Sequence, residues 1–277
     1  MTAVDSGPPL RLSWSRIRAH SECRFKGKAL AAGWKSPVTD IRNFFPGQVV
    51  DRCMGAWLDL DDPPPGWMAA HVDEELDREE TRARDTGDGV VKWRDRGDKV
   101  KVRAWCKELV TRLEPVLYEL VIPFDYEPHS RFKVPLSIPG PGGQPRQLLL
   151  TGETDLRTWR AEKAPLGIWD LKGTENEDYW RKVTGQLLFY EIATWGMTGH
   201  WPEVSGLIQP MCSEPVLKFY FTADHRREMF KTVCDVANDI WRDNLPPKAD
   251  STGCSYCPVK HACSKFAHGR GRVPLSA

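Results

Sequence analysis

Apolar positions recur at helical spacing through roughly the first 120 residues and then change rhythm. LSWSRIRAHSECRFKGKALA (12–31) predicts a short helix with Ser13 near its cap and Cys23 close to its end. FFPGQVVDRCMGAWLDL (44–60) predicts a second helix, and DDPPPG breaks the chain after it. WMAAHVDEELDREETRAR (67–84) reads as a charged third helix that DTGDG (85–89) ends. Over 98–120, Val102, Trp105, Leu109, Leu113, Val116 or Leu117, and Leu120 mark one buried helical face, with a kink expected at Pro115.

Beyond that point the period shortens. SRFKVPLSI, the turn PGPGGQP and RQLLLTGETDLRTW predict a β-hairpin. LGIWDLKGT (166–174) predicts another strand, and DYWRKVTGQLLFYEIATWGM (178–197) an amphipathic helix. Two further strands are expected at VSGLIQPM and VLKFYFT, then a long helix over 223–245 and a cysteine-rich tail. The order suggests an α/β fold with a mixed central sheet flanked by helices. The expected organisation is a disordered lead at 1–10, a helical lobe at 11–120, a core at 121–248 and a cysteine segment at 249–277.

Composition narrows the class. The 277 residues can bury a full core, and eight cysteines are too few for a disulfide scaffold. The start MTAVDSGPPLRLSW lacks the basic and apolar regions of a signal peptide, and no apolar run reaches bilayer length. The expectation is a cytoplasmic protein with no membrane partner, where clustered cysteines favour metal over disulfide. A net charge of +1 does not exclude nucleic acid, because a local basic groove suffices.

The candidate chemistry begins in the strands. GETDL holds Glu153 and Asp155, and IWDLKG holds Asp170 and Lys172, each pair two apart and so on one strand face. Trp169 and Leu171 are expected to point into the core. If the strands pair, Asp155 approaches Asp170. Two carboxylates with the backbone carbonyl of Leu171 make an oxygen site for Mg²⁺ or Mn²⁺. A lysine beside it orients water or stabilises charge on a phosphate oxygen. The competing reading is a salt-bridge array on an exposed face. In the following helix Gln186 and Tyr190, four apart, share a face and could hold the lysine or a phosphate.

Together GETD, DLK and QLLFY resemble the PD-(D/E)XK nuclease superfamily in its RecB-like branch. The resemblance implies that Asp155 and Asp170 bind metal, that Lys172 is the catalytic lysine, and that Gln186 and Tyr190 belong to the motif that follows. It also bears on GCSYCPVKHACSKF (253–266). AddB-type proteins and the fourth CRISPR-associated family carry a [4Fe–4S] cluster on one cysteine before the core and three after it. Here Cys23 stands 231 residues before Cys254, followed by Cys257 and Cys263. By chemistry alone four thiolates suit iron–sulfur or zinc, and His261 could complete a local Cys3His site. Cys53, Cys106, Cys212 and Cys234 read as small buried hydrophobes.

The match departs at one point. The family's upstream helix has a metal-binding histidine four residues after a glycine, whereas GQVVD puts Asp51 there; His71, one helix later, is the other candidate. An aspartate still binds Mg²⁺ or Mn²⁺ through oxygen. Arg16, Arg18, Arg24, Lys26 and Lys28, with Lys260, Lys265, Arg270 and Arg272, would form one positive region if the chain ends meet. The resemblance implies a DNA exonuclease acting 5′→3′ on single-stranded ends, in recombination, repair or processing. The rivals are a non-catalytic nucleic-acid-binding protein and a zinc-stapled adaptor.

Overall fold

The computed structural model describes residues 8–33, 45–86, 91–121, 123–160 and 165–243, and the single positions 257, 259 and 263. Six strands form one mixed sheet: β1 (Leu10–Leu12), β2 (Asp125–Pro139), β3 (Pro145–Trp159), β4 (Pro165–Leu171), β5 (Val204–Ile208) and β6 (Val216–Phe219). β2 and β3 make the long antiparallel hairpin the alternating pattern predicts, though β2 starts five residues earlier, at Asp125. β4 and β5 run parallel, joined by α6 (Trp180–Thr198) as a βαβ crossover. Gly199, at φ +75°, ends α6 in the left-handed conformation a helix C-terminus favours.

The first helix is the main departure. Residues 12–31 are not one helix. β1 comes first and pairs parallel with β3, and α1 (Trp14–Glu22) and α2 (Arg24–Ala31) follow, broken at Cys23. Cys23 adopts an extended backbone and is at once the last cap of α1 and the first cap of α2. A three-residue strand whose partner lies 138 residues away leaves no local periodicity to read.

Two cores lie on opposite faces of the sheet. On one, α3 (Phe45–Leu58), α4 (Trp67–Thr86) and α5 (Arg96–Leu120) pack Trp57, Met68, Leu76 and Leu113 against Leu156, Trp169 and Ile208 of the strands. α5 runs through Pro115 as one 25-residue helix. On the other, α6, α1 and α7 (Ala223–Trp241) bury Phe189, Ile17 and Val233 against Phe132 and Leu148. α6 is less one-sided than an amphipathic pattern implies, because Leu187 and Phe189–Thr194 are all buried between the sheet and α7. No described helix is long and apolar enough to cross a membrane.

One feature of the sheet sets the position of everything functional. β1 and β4 lie along the same edge of β3, end to end. β1 pairs as far as Leu150, and β4 begins at Leu156. Residues 151–155 between them have β2 on one side and, among the described residues, no strand on the other.

Candidate active site

The interruption exposes the edge of β3 where Glu153 and Asp155 stand. The antiparallel register of β3 and β4 then brings Asp170 beside Asp155, as the spacing of the two motifs anticipates. Asp155 Oδ2 accepts the Leu171 backbone N–H at 2.6 Å. Asp170 is fully buried; its Oδ1 accepts from Gln186 Nε2 at 2.7 Å, and its Oδ2 lies 2.5 Å from Lys172 Nζ. Among the described residues the lysine ammonium is the partner of that second oxygen. Lys172 Nζ also donates to the Leu171 carbonyl at 3.1 Å. Gln186 Nε2 donates its other proton to the Tyr190 hydroxyl at 2.8 Å, so the helical pair braces Asp170 rather than the lysine.

Burial pushes the Asp170 carboxyl up to about 7, and the Asp155 charge adds to the rise against the pull of Lys172. Burial works the other way on Lys172, but the charges of Asp170 and Asp155 outweigh it and hold its ammonium protonated beyond the usual range. Tyr190 is raised by burial and by the same two aspartates. These shifts share one physical origin: negative charge concentrated in a dry place, which a divalent cation would neutralise.

Asp51 projects from α3 to this cluster. Burial raises it to about 6, and Asp155 is the next cause. Sequence reasoning missed its neighbour. His129 of β2 stands opposite Asp155, in the place between the Pro128–Leu156 and Ser130–Thr154 pairs. Its Nδ1 is 3.5 Å from Asp51 Oδ1 and 3.9 Å from Glu153 Oε1. The residue is left-handed, at φ +49°, and its ring enters space that a side chain at Gly55 would fill, with Nε2 2.8 Å from the position of a Cβ there. No local signal marks this, since it needs a strand residue and a helix glycine 74 positions apart. His71 is held on α4, its Nδ1 2.7 Å from the Trp67 carbonyl and its ring stacked on Trp67.

Two cavities flank the cluster. The larger, about 830 Å³, opens from the α3 and α5 side and reaches Asp51, Asp155 and Lys172. The smaller, about 480 Å³, lies between α1, α2 and α6 and reaches Glu153, Gln186 and Tyr190. Arg18 and Lys26 line the smaller one, but both pair with Glu22, and Arg24 and Lys28 pair with Asp239 and Asp243. Three carboxylates thus offset part of the expected basic region, Arg18 and Lys26 sharing one of them, while Arg16 donates to the Arg11 carbonyl. Lys260, Lys265, Arg270 and Arg272 lie outside the described residues.

Among the described residues no three His, Cys, Asp or Glu side chains form a ready-made metal group. The donors fit a hard cation all the same: the Asp155 charge raises both Asp51 and Asp170, Asp170 is a buried carboxylate whose second oxygen already meets a cation, and the Leu171 carbonyl is turned to the same ammonium. Of the thiols, Cys263 is buried, Cys23 and Cys257 are half-buried, and Cys254 and His261 lie outside the described residues. The stapling of the chain ends by a cluster is not shown.

Comparisons with known proteins agree with this picture. The model of the PD-(D/E)XK nuclease superfamily matches residues 11–264. The crystal structure of an inferred exonuclease from Eubacterium rectale superposes with a TM-score of 0.54 at 14% identity, over 96% of this chain and 91% of that one. The structure of SSO0001 matches at a TM-score of 0.35 and 13% identity, over 79% and 95% of the two chains, too distant to carry an argument. No curated protein matches the sequence.

Proposed function

Because the chain belongs to the PD-(D/E)XK nuclease superfamily, we propose that it is a divalent-metal-dependent DNA exonuclease acting on single-stranded ends, with 5′→3′ polarity. The observation that carries the catalytic reading is the meeting of Asp155, Asp170 and Lys172 at the interruption of the sheet. Asp51, Asp155, Asp170 and the Leu171 carbonyl would hold Mg²⁺ or Mn²⁺. A cation there polarises the phosphate and acidifies its water.

The protein's own groups do the rest. Lys172, kept as an ammonium, stabilises charge on the phosphoryl oxygens and aligns the nucleophile. Gln186, bonded to Asp170 and Tyr190, is a positioning residue that fixes the carboxylate's rotamer. His129 of β2, with Nδ1 3.5 Å from Asp51 Oδ1, would draw that carboxylate toward the site when its ring is charged.

Cys23, Cys254, Cys257 and Cys263 would carry a [4Fe–4S] cluster. Support comes from their spacing, from the break between α1 and α2 at Cys23, and from the burial of Val259 and Cys263. Such a cluster would fasten the first helices to the end of the chain, and Cys257→Ala is expected to lower both iron content and melting temperature. Full iron with unchanged melting would end that assignment; zinc in place of iron and sulfide would select the other thiolate site. The proposed setting is the cytoplasm, in DNA recombination, repair or processing.

The test of the main reading is cleavage of end-labelled single-stranded DNA with Mn²⁺, Mg²⁺ or chelator. Metal-dependent products from the wild type, and at least about a 10³-fold loss in Lys172→Ala with DNA binding retained, are expected. Equal rates in the two proteins would remove Lys172 from the mechanism. No cleavage by the wild type on any end would favour a binding protein.

A further inference from the structure

The larger cavity is unlike the rest of the site. Its carboxylate side is one wall only. Facing it is a largely apolar wall, with Val50 from α3 and Val102, Leu109 and the half-buried ring of Trp105 from α5, and Gln48 as a polar neighbour. Trp105 lies against the backbone just past the catalytic strand. A Cβ at Gly173 would sit 2.5 Å from its Cη2, and Gly173 directly follows Lys172. Tyr179 adds a second half-buried ring, and the exposed Lys101 stands on the rim.

Apolar side chains lining an open chamber gain free energy when an apolar group covers them. A phosphodiester strand has one such part, the face of the base. A stacked base in a duplex cannot offer that face; an unpaired one can. About 830 Å³ is within the range of a small-molecule site and leaves room for a base with its sugar. We propose that this cavity is a nucleobase pocket, in which Trp105 stacks on one unpaired base next to the scissile phosphate while Lys101 meets the neighbouring phosphate. The proposal rests on the nuclease reading and deepens it. It makes the preference for single strands a property of an apolar wall from α5, not of the sheet residues. It is indifferent to which base is bound, since every base has a flat face.

The experiment separates the pocket from the chemistry. Affinity of the full-length chain for an oligothymidine and for an abasic strand of the same length is measured by anisotropy with Ca²⁺. Cleavage of both is measured with Mn²⁺. Trp105→Leu keeps apolar packing and removes the flat ring, and Trp105→Phe restores one.

Trp105→Leu is expected to weaken intact DNA about tenfold and leave the abasic strand unchanged, with Trp105→Phe close to wild type. Gly173→Ala, which drives a methyl against the indole, is expected to follow Trp105→Leu. Equal weakening of both strands by Trp105→Leu, or no weakening of either, overturns the pocket. A wild type that binds intact DNA through Trp105 but does not cleave overturns the nuclease reading and keeps the pocket. A wild type that binds neither strand overturns both.

Discussion

Glu191 and Asp170 are two carboxylates at the same depth, 1% and 0% exposed, on neighbouring elements. Glu191 is closed off. Ser205 Oγ donates to one oxygen at 2.7 Å and Arg226 Nε to the other at 2.6 Å, with burial still holding its carboxyl above the usual range. Asp170 is held differently: one oxygen is braced by Gln186, the other meets Lys172, and a second carboxylate, Asp155, stands beside it. Equal burial therefore has opposite meanings. A buried acid with a protein donor on each oxygen and no second carboxylate beside it holds α6, β5 and α7 together. One crowded by a second carboxylate is a site.

The sharpest way to break this contrast is to remove each partner. Arg226→Ala leaves the Glu191 charge buried and is expected to cost about 3–5 kcal/mol in chemical denaturation. Asp170→Asn takes one partner from Lys172 but leaves it Asp155, and removes the charge that repels Asp155, so it is expected to cost clearly less than Arg226→Ala while abolishing cleavage. Comparable losses in the two variants would mean that Asp170 too is structural.

A smaller effect is expected at His129. His129→Gly relieves a left-handed backbone worth about 1 kcal/mol, and it frees Asp51. We expect stability to be kept and Mn²⁺ affinity by calorimetry to fall about tenfold. Unchanged affinity would separate His129 from the cation site.

The smallest effect is in pH. With its folded-state carboxyl raised to about 6, Asp51 binds its proton more tightly in the native protein than in the unfolded chain. Its contribution is complete at low pH and is lost as pH rises through about 6. In chelator, the wild type should therefore lose stability relative to Asp51→Asn between about pH 4 and 6. Asp51 is 38% exposed, so solvent screening keeps the difference under about 1 kcal/mol. The reverse slope would place Asp51 in a stabilising ion pair.

What was legible in the sequence was whatever repeats at short range. Asp170 and Lys172 lie two apart, at the end of β4 and just past it, and Gln186 and Tyr190 four apart in a helix, and each pair meets as the spacing anticipates. The hairpin was equally plain, because its turn and both strands are contiguous. What stayed hidden depends on partners distant along the chain. β1 is defined only by β3, and His129 is shaped by Gly55. Trp105 showed its spacing in the sequence, as part of a core face. That its ring also rests on Gly173 is a tertiary fact.

The shared edge of β3 also has a consequence for the order of folding. Its hairpin partner, β2, is joined to it by a short turn, and β4 follows at once, while β1 must return across 138 residues to reach Leu150. Closing so long a loop before any contact rewards it is slow. The amides of β2, β3 and β4 should then be protected first in pulsed hydrogen exchange, and those of Leu10–Leu12 last. The edge on which the chemistry depends would be bounded at one end early, and become a site only when the start of the chain arrives at the other.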